Sequence, residues 1–288
     1  LNALAATQNG EFDFNLDFFH RIKHRSELIE WMNIDSFGED RSRDMEPLLD
    51  DAIESWIQSI VKARPRWVGL SIFSLRCFTV LDRLLPRLRK AYPSGRIVIG
   101  GAGLMDDGSG QRLLENGLID SYVLGEGEHA VVELLQGRPG NSPPIVDLNQ
   151  LPLPDYSDLP IDQYGYLQLR SKTTRSNRRR VFYVEGSRGC VRKCNFCDVP
   201  QSKPGYRFRS ADSILQEIRE MDRIYGADEI HFVDSLVNGS PIHLRALCEK
   251  LAEFRMEKDK SFRWSGYFIV RPKSSFGAQD FELLARSG

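Results

Sequence analysis

From Met45 onward the chain alternates between two hydrophobic periods. Leu49, Ile53, Trp56, Ile57 and Ile60 recur at intervals of three and four, which predicts a helix with one apolar face. Trp67-Val-Gly-Leu-Ser-Ile-Phe73 is then a short, nearly unbroken apolar run, the composition of a strand buried on both faces. Phe78, Leu81, Leu85, Leu88 and Tyr92 stripe a second helix, Arg96-Ile-Val-Ile-Gly-Gly101 is a strand running into two glycines, and a further helix is expected around Gln111 to Asn116. Ser121-Tyr-Val-Leu124 enters Gly-Glu-Gly-Glu128 and a helix carrying Val131, Val132, Leu134 and Leu135. Strand and helix units repeated at this length imply an α/β domain with a parallel sheet covered on both faces, its ligands at the carboxyl ends of the strands.

The pattern breaks between Arg138 and Leu159, where Pro143-Pro144 and Leu151-Pro-Leu-Pro-Asp155 read as a linker. The basic run from Arg170 to Arg180 is either a solvated hairpin or loop, or a segment that touches phosphate. Alternation then resumes: Val181-Phe-Tyr-Val184 as a strand, a helix capped by Ser210 and ending near Gly226, Glu229-Ile-His-Phe-Val-Asp234 as a strand, and a helix striped by Leu244, Leu247, Leu251 and Phe254. A third strand over Phe262 to Val270 and a helix over Phe276 to Arg286 complete three strand and helix units, too few for a closed eight-stranded barrel. The expected organisation is a Rossmann-like domain over 1–140, a linker over 141–180 and the first part of a TIM-type barrel over 181–288.

Charge narrows the partners. With 39 basic and 40 acidic residues the net charge is -1, so no global field draws the chain to nucleic acid or an anionic membrane. The 41% hydrophobic and 27% charged content is that of a soluble globular protein, and no apolar run is long enough to span a bilayer; a cytoplasmic location is the expectation. The absence of an initiator Met and the ending on a helical segment with its closing glycine read as a piece truncated at both ends.

Three of the five cysteines, Cys190, Cys194 and Cys197, fall within eight positions, too close together for a set of ordinary disulfides. In a reducing compartment such clustering points to metal or redox chemistry. Cys77 and Cys248 lie in helical patterns and read as small core residues. A structural zinc site takes four Cys or His ligands, so the zinc alternative needs a distant histidine such as His231, and plain core thiols are the other alternative. Three thiolates on a four-iron cluster, in contrast, leave one iron open to a substrate.

Cys190-x-x-x-Cys194-x-x-Cys197, with Phe196 immediately before the third cysteine, resembles the signature of the radical S-adenosylmethionine (SAM) enzymes. The resemblance implies that the three cysteines hold a 4Fe-4S cluster whose open iron chelates SAM. It also implies that an electron from the cluster cleaves the sulfonium, and that the 5'-deoxyadenosyl radical so formed abstracts hydrogen from an inert carbon. It places Phe196 near the adenine and Asp234 and Ser235 near the methionine group, although the family's Gly-Gly-Glu is absent there and Asp234 can equally be a turn cap after a strand. The reducing partner implied is of flavodoxin or ferredoxin type, and the substrate is a small molecule.

Upstream, Trp67-Val-Gly-Leu-Ser71, Ile97-Val-Ile-Gly-Gly101, Val123-Leu-Gly-Glu-Gly-Glu128 and Leu151-Pro-Leu-Pro-Asp155 resemble, in that order, the subgroup with an N-terminal cobalamin-binding domain. Leu1 to about Ile22 resembles the first helix and second strand of that domain. The resemblance implies a corrinoid lined by Ser71, Gly100, Gly101 and Glu126. The chain contains no Asp-x-His-x-x-Gly, so a protein histidine is not expected below the cobalt, and His20, His24 and His129 read as surface or polar-interior residues. The reaction implied is cobalamin-dependent methyl transfer to an unactivated carbon or phosphorus. The alternatives are rearrangement, ring contraction or cyclisation on a degenerate corrinoid site, and a non-catalytic iron-sulfur electron-transfer module. A methylthiotransferase acting on transfer RNA would need three cysteines in the N-terminal domain, where only Cys77 stands.

Overall fold

The computed structural model of the 288-residue chain describes residues 4–7, 10–13, 39–73, 77–138, 140, 143–157, 159, 161, 180–197, 199, 205–258 and 261–288, with side chains from residue 47 onward. Two compact units emerge: residues 1–144 with 156–159, and residues 145–155 with 160–288.

In the first unit, β1 (Leu4–Thr7) and β2 (Gly10–Asp13) form an antiparallel pair in which Thr7 lies opposite Gly10. This corrects the expectation of a helix at the start of the chain. The residues from Glu11 to Asp17 alternate polar and apolar strictly, which is the period of a strand, and Asn9-Gly10 is a hairpin signal. The rest of the Leu1–Ile22 segment, His20, His24 and the basic run up to residue 179 lie outside the described residues.

Three parallel strands follow in the order β3 (Trp67–Ser71), β4 (Arg96–Gly100), β5 (Ser121–Tyr122). Helix α1 (Glu39–Ala63) precedes β3, α2 (Cys77–Ala91) and α3 (Ser109–Glu115) connect the strands, and α4 (Gly127–Leu135) follows β5. One face of the sheet, through Val68, Leu70, Ile97 and Ile99, packs with Ile53, Trp56 and Ile60 of α1 and Leu81, Leu85 and Leu88 of α2. The other face, through Val98 and Val123, packs on Ala130, Val131 and Leu134 of α4. Helices on both faces explain the continuous apolar runs of the strands. Cys77 is buried in the first of these cores.

The second unit contains β6 (Val181–Val184), the short antiparallel pair β7 (Ser187–Arg188) and β8 (Arg207–Phe208), α5 (Ala211–Tyr225), β9 (Glu229–Phe232), α6 (Pro241–Glu257), β10 (Arg263–Ser265) and α7 (Ala278–Ser287). The parallel sheet has the order β10-β9-β6, so the first strand in sequence is an edge and the next two add on one side. Phe182, Val184, Ile230 and Phe232 are buried on one face, where Phe182 stacks on Tyr225 of α5 with ring centroids 5.4 Å apart. Cys248, buried on α6, has its thiol pushed up to about 11 by burial.

The third strand stops at Ser265, short of the expected Val270. At Gly266 an added Cβ would stand 2.5 Å from Val237 Cγ2, so the backbones approach too closely for a side chain, and beyond it Ile269 N–H turns to Asn238 Oδ1 at 3.0 Å instead of a neighbouring strand. Among the described residues no helix is long and apolar enough to cross a membrane.

Candidate functional site: the cysteine loop and its brace

The loop that carries the three cysteines is fastened at its root. After β6 the chain passes through Glu185 and Gly186 into β7, where Ser187 lies opposite Phe208 and Arg188 opposite Arg207 of β8, so the segment between them closes on itself. Gly189 follows with φ of 80°, a left-handed conformation that costs glycine nothing and turns the chain out into the cysteine segment. Arg209 N–H donates to Gly186 O at 2.9 Å, and its guanidinium donates to Glu185 O at 3.2 Å and pairs with Glu217 of α5. Both members of that pair are buried; desolvation pushes the Glu217 carboxyl up against the opposing pull of Arg209.

Within the loop, Cys197 N–H donates to Cys194 O at 3.1 Å, closing a turn around Asn195 and Phe196, and Arg192 N–H reaches Cys190 Sγ at 3.4 Å. All three cysteines are free thiols, Cys194 exposed and the other two half-buried, and Phe196 is 93% exposed. Among the described residues no three His, Cys, Asp or Glu side chains converge as a metal-ligand set. Soft sulfur donors and a backbone N–H on sulfur suit an iron-sulfur cluster. His231, the distant ligand of the zinc alternative, has its Nδ1 2.8 Å from Ser265 Oγ, and among the described residues it is not gathered with the thiols into a ligand set.

Asp234, two residues past β9, lies under this loop rather than on its surface. It is 3% exposed, its Oδ1 accepts from Gly186 N–H at 2.8 Å and its Oδ2 from Ser187 Oγ–H at 2.5 Å. Burial pushes its carboxyl up to about 6, the hydrogen bonds from Ser187 and Gly186 opposing the rise. The fit at Gly186 is tight, since a Cβ would stand 3.3 Å from Asp234 Oδ2 and 3.2 Å from Ile214 Cδ1. Ser235 is half-buried beside it. The turn beyond is held by buried Asn238, whose amide bonds both Ile269 O at 2.8 Å and Ile269 N–H at 3.0 Å. Sequence reasoning passed over Ser187, Arg209 and Asn238. Asn238-Gly239-Ser240-Pro241 is a turn and cap signal that could have flagged Asn238, while nothing local marks Ser187 or Arg209.

In the first unit the β3–β4 register sets Ser71 beside Gly100 at the carboxyl ends of the strands. Gly101, with φ of 103°, sits where a Cβ would be 2.6 Å from Ile72 O, and a Cβ on Gly100 would be 3.3 Å from Val123 O. Close backbone crossing therefore accounts for both glycines. Glu126 is the cap residue of α4, and His129 is exposed in the first turn of that helix. Phe73, just past β3, is 65% exposed, and Leu124, just past β5, is also exposed.

Comparison with known proteins bears on the second unit first. Residues 184–270 match the model of the Radical SAM superfamily. No curated protein sequence matches the chain. Two solved structures of the radical S-adenosylmethionine methyltransferase TsrM from Kitasatospora setae resemble the fold at 18% identity. One, with tryptophan substrate and the SAM analogue aza-SAM bound, covers 81% of this chain and 49% of that chain at a TM-score of 0.58. The other, with cobalamin and a [4Fe-4S] cluster bound, covers 83% of this chain and 49% of that chain at a TM-score of 0.59. The chain thus spans about half the length of the solved structures it matches.

Proposed function

From a chain whose residues 184–270 match the Radical SAM superfamily, we infer an enzyme that cleaves SAM reductively and passes a methyl group, by way of cobalamin, to an unactivated carbon. The observation that carries the reading is the loop itself: three free thiols at Cys190, Cys194 and Cys197, with no disulfide among them, raised from a root fixed by the β7–β8 pair. When bound, a 4Fe-4S cluster supplies the low-potential electron and an open iron for SAM, and cobalamin supplies a methyl carrier.

The chain's own residues do the positioning. Cys190, Cys194 and Cys197 are the cluster ligands. Phe196, exposed between the last two, offers an aromatic face to an adenine. Asp234 holds the Gly186 and Ser187 end of the loop against β9, and half-buried Ser235 next to it is assigned to the methionine moiety. In the first unit Ser71, Gly100, Gly101 and Glu126 border the strand ends assigned to the corrinoid, with Phe73 and Leu124 as its apolar contacts. No histidine in this chain carries the Asp-x-His-x-x-Gly context, so none of its histidines is assigned to the corrinoid.

The reading is tested on the full-length protein. After anaerobic reconstitution, iron and sulfide content and the electron-spin resonance of the reduced cluster are recorded with and without SAM. A four-iron signal that shifts on adding SAM, and that Cys194→Ala abolishes, supports the reading. A signal indifferent to SAM refutes it. Retention of hydroxocobalamin through gel filtration tests the corrinoid separately.

A further inference from the structure

The face of the second unit's sheet opposite the helices carries a row of side chains used by nothing above. Parallel register sets Tyr183, His231 and Ser265 abreast on β6, β9 and β10. Alternation along the strands sends this row to the side away from buried Phe182 and Ile230. Tyr183 and Tyr267 each make an edge contact with the His231 ring, with centroids at 5.7 and 6.3 Å and both interplanar angles 81°. Nδ1 of His231 is held by Ser265 Oγ at 2.8 Å, leaving Nε2 as the hydrogen-bonding group of the ring.

The composition of this row decides what it is for. A layer that only fills the inside of a parallel βα sheet is dominated by Val, Ile and Leu. Here it is two tyrosines around a His–Ser pair. Aromatic rings with a fixed imidazole between them make an amphipathic surface, apolar across its faces and polar at one point. The row also runs on into the site already described: Gly186, which the Asp234 brace holds, is three residues beyond Tyr183, and Asp234 is three beyond His231, about 10 Å along each strand.

We propose that this row is the floor of the substrate pocket and that it takes a planar, unsaturated ring bearing a hydrogen-bonding heteroatom, the ring against Tyr183 and Tyr267 and the heteroatom on His231 Nε2. That the bound ring is the substrate of a radical reaction rests on the reading above; the recognition of the ring needs neither cluster nor SAM.

The experiment uses the reconstituted full-length protein and the probe indazole, a planar heteroaromatic with both an N–H and an acceptor nitrogen. Carbethoxylation by diethyl pyrocarbonate is followed by mass spectrometry at His231, with exposed His129 in the other unit as internal reference. Indazole at millimolar concentration is expected to slow modification of His231 at least fivefold while leaving His129 unchanged, and cyclohexanol, non-planar, to slow neither. In the Tyr183→Ala, Tyr267→Ala double variant the protection is expected to vanish. Equal rates with and without indazole, or equal protection by cyclohexanol, overturn the proposal, and both are read on the unaltered protein. The SAM-induced change in the spin signal, taken on the same samples, reports separately: protection without that change keeps the pocket and removes the radical reading, and the reverse result keeps the radical reading and removes the pocket.

Discussion

Replacing Asp234 by Asn takes a charge out of the brace under the cysteine loop while keeping an oxygen for the Gly186 N–H. The wild-type carboxyl is raised from 3.8 to about 6, chiefly by burial. A group whose pKa is higher folded than unfolded contributes stability that is full below the unfolded value and is lost as pH rises through the folded one. Wild-type protein should therefore lose stability across the window from about pH 4 to 6, by about 1.4 kcal/mol per pH unit at the steepest. Integrated from pH 4.5 to 7.5 the loss from this one group is about 2 kcal/mol. Asp234→Asn has no proton to release and escapes it. The assay is urea unfolding of both proteins, cluster-free, followed by a probe confined to the second unit so that the two units are not averaged. Every other titrating group is common to the pair and cancels in the difference. The difference between variant and wild type should move by about 2 kcal/mol in favour of Asn as pH rises from 4.5 to 7.5. A difference constant within about 0.5 kcal/mol would refute the assignment of Asp234 as a desolvated carboxylate and return it to the surface.

Three further outcomes follow from the packing. Asp234→Ala, unlike Asn, leaves the Gly186 N–H and the Ser187 hydroxyl buried without that acceptor, and should cost about 2–4 kcal/mol at pH 5 in the same unfolding assay. Arg209→Met strands Glu217, 2% exposed, without its cation; the expected cost is about 3–5 kcal/mol at pH 7.5, shrinking at low pH as the carboxylate takes a proton, since burial has already raised its pKa. Gly101→Ala combines a φ of 103° with a Cβ 2.6 Å from Ile72 O, whereas Gly125→Ala has only a φ of 76° to contend with and nothing within 4 Å. Thermal unfolding should accordingly show a larger drop for the first, the second costing about 1 kcal/mol.

Much of the fold was legible because it is written in short-range periods. The apolar stripes of α1, α2, α5 and α6 appear in the structure as buried faces. The ends were legible too where a local rule sets them: Ser210 caps α5 by accepting from Ser213 N–H at 3.1 Å, and Gly226 closes it at φ of 65°. Residues 4–7 and 10–13 form a strand pair where the family resemblance implied a helix, although the period-2 alternation after Gly10 is legible in the sequence. The third barrel-type strand was overestimated because apolar content persists to Val270, while the backbone leaves the sheet at Gly266, a departure set by Val237 and Asn238 some thirty residues away.

By itself the sequence determined the class of the elements and the grouping of three thiols on one loop, since helix period, caps and the spacing of cysteines on one loop depend only on residues near one another. The tertiary structure decided what Asp234 does, why Gly101 is glycine, and that Tyr183, His231 and Ser265 stand in one row. Those facts depend on strand register and on burial, which bring together residues 48 and 34 positions apart, and no local pattern encodes which strand will lie beside which or how far water is kept from a carboxylate.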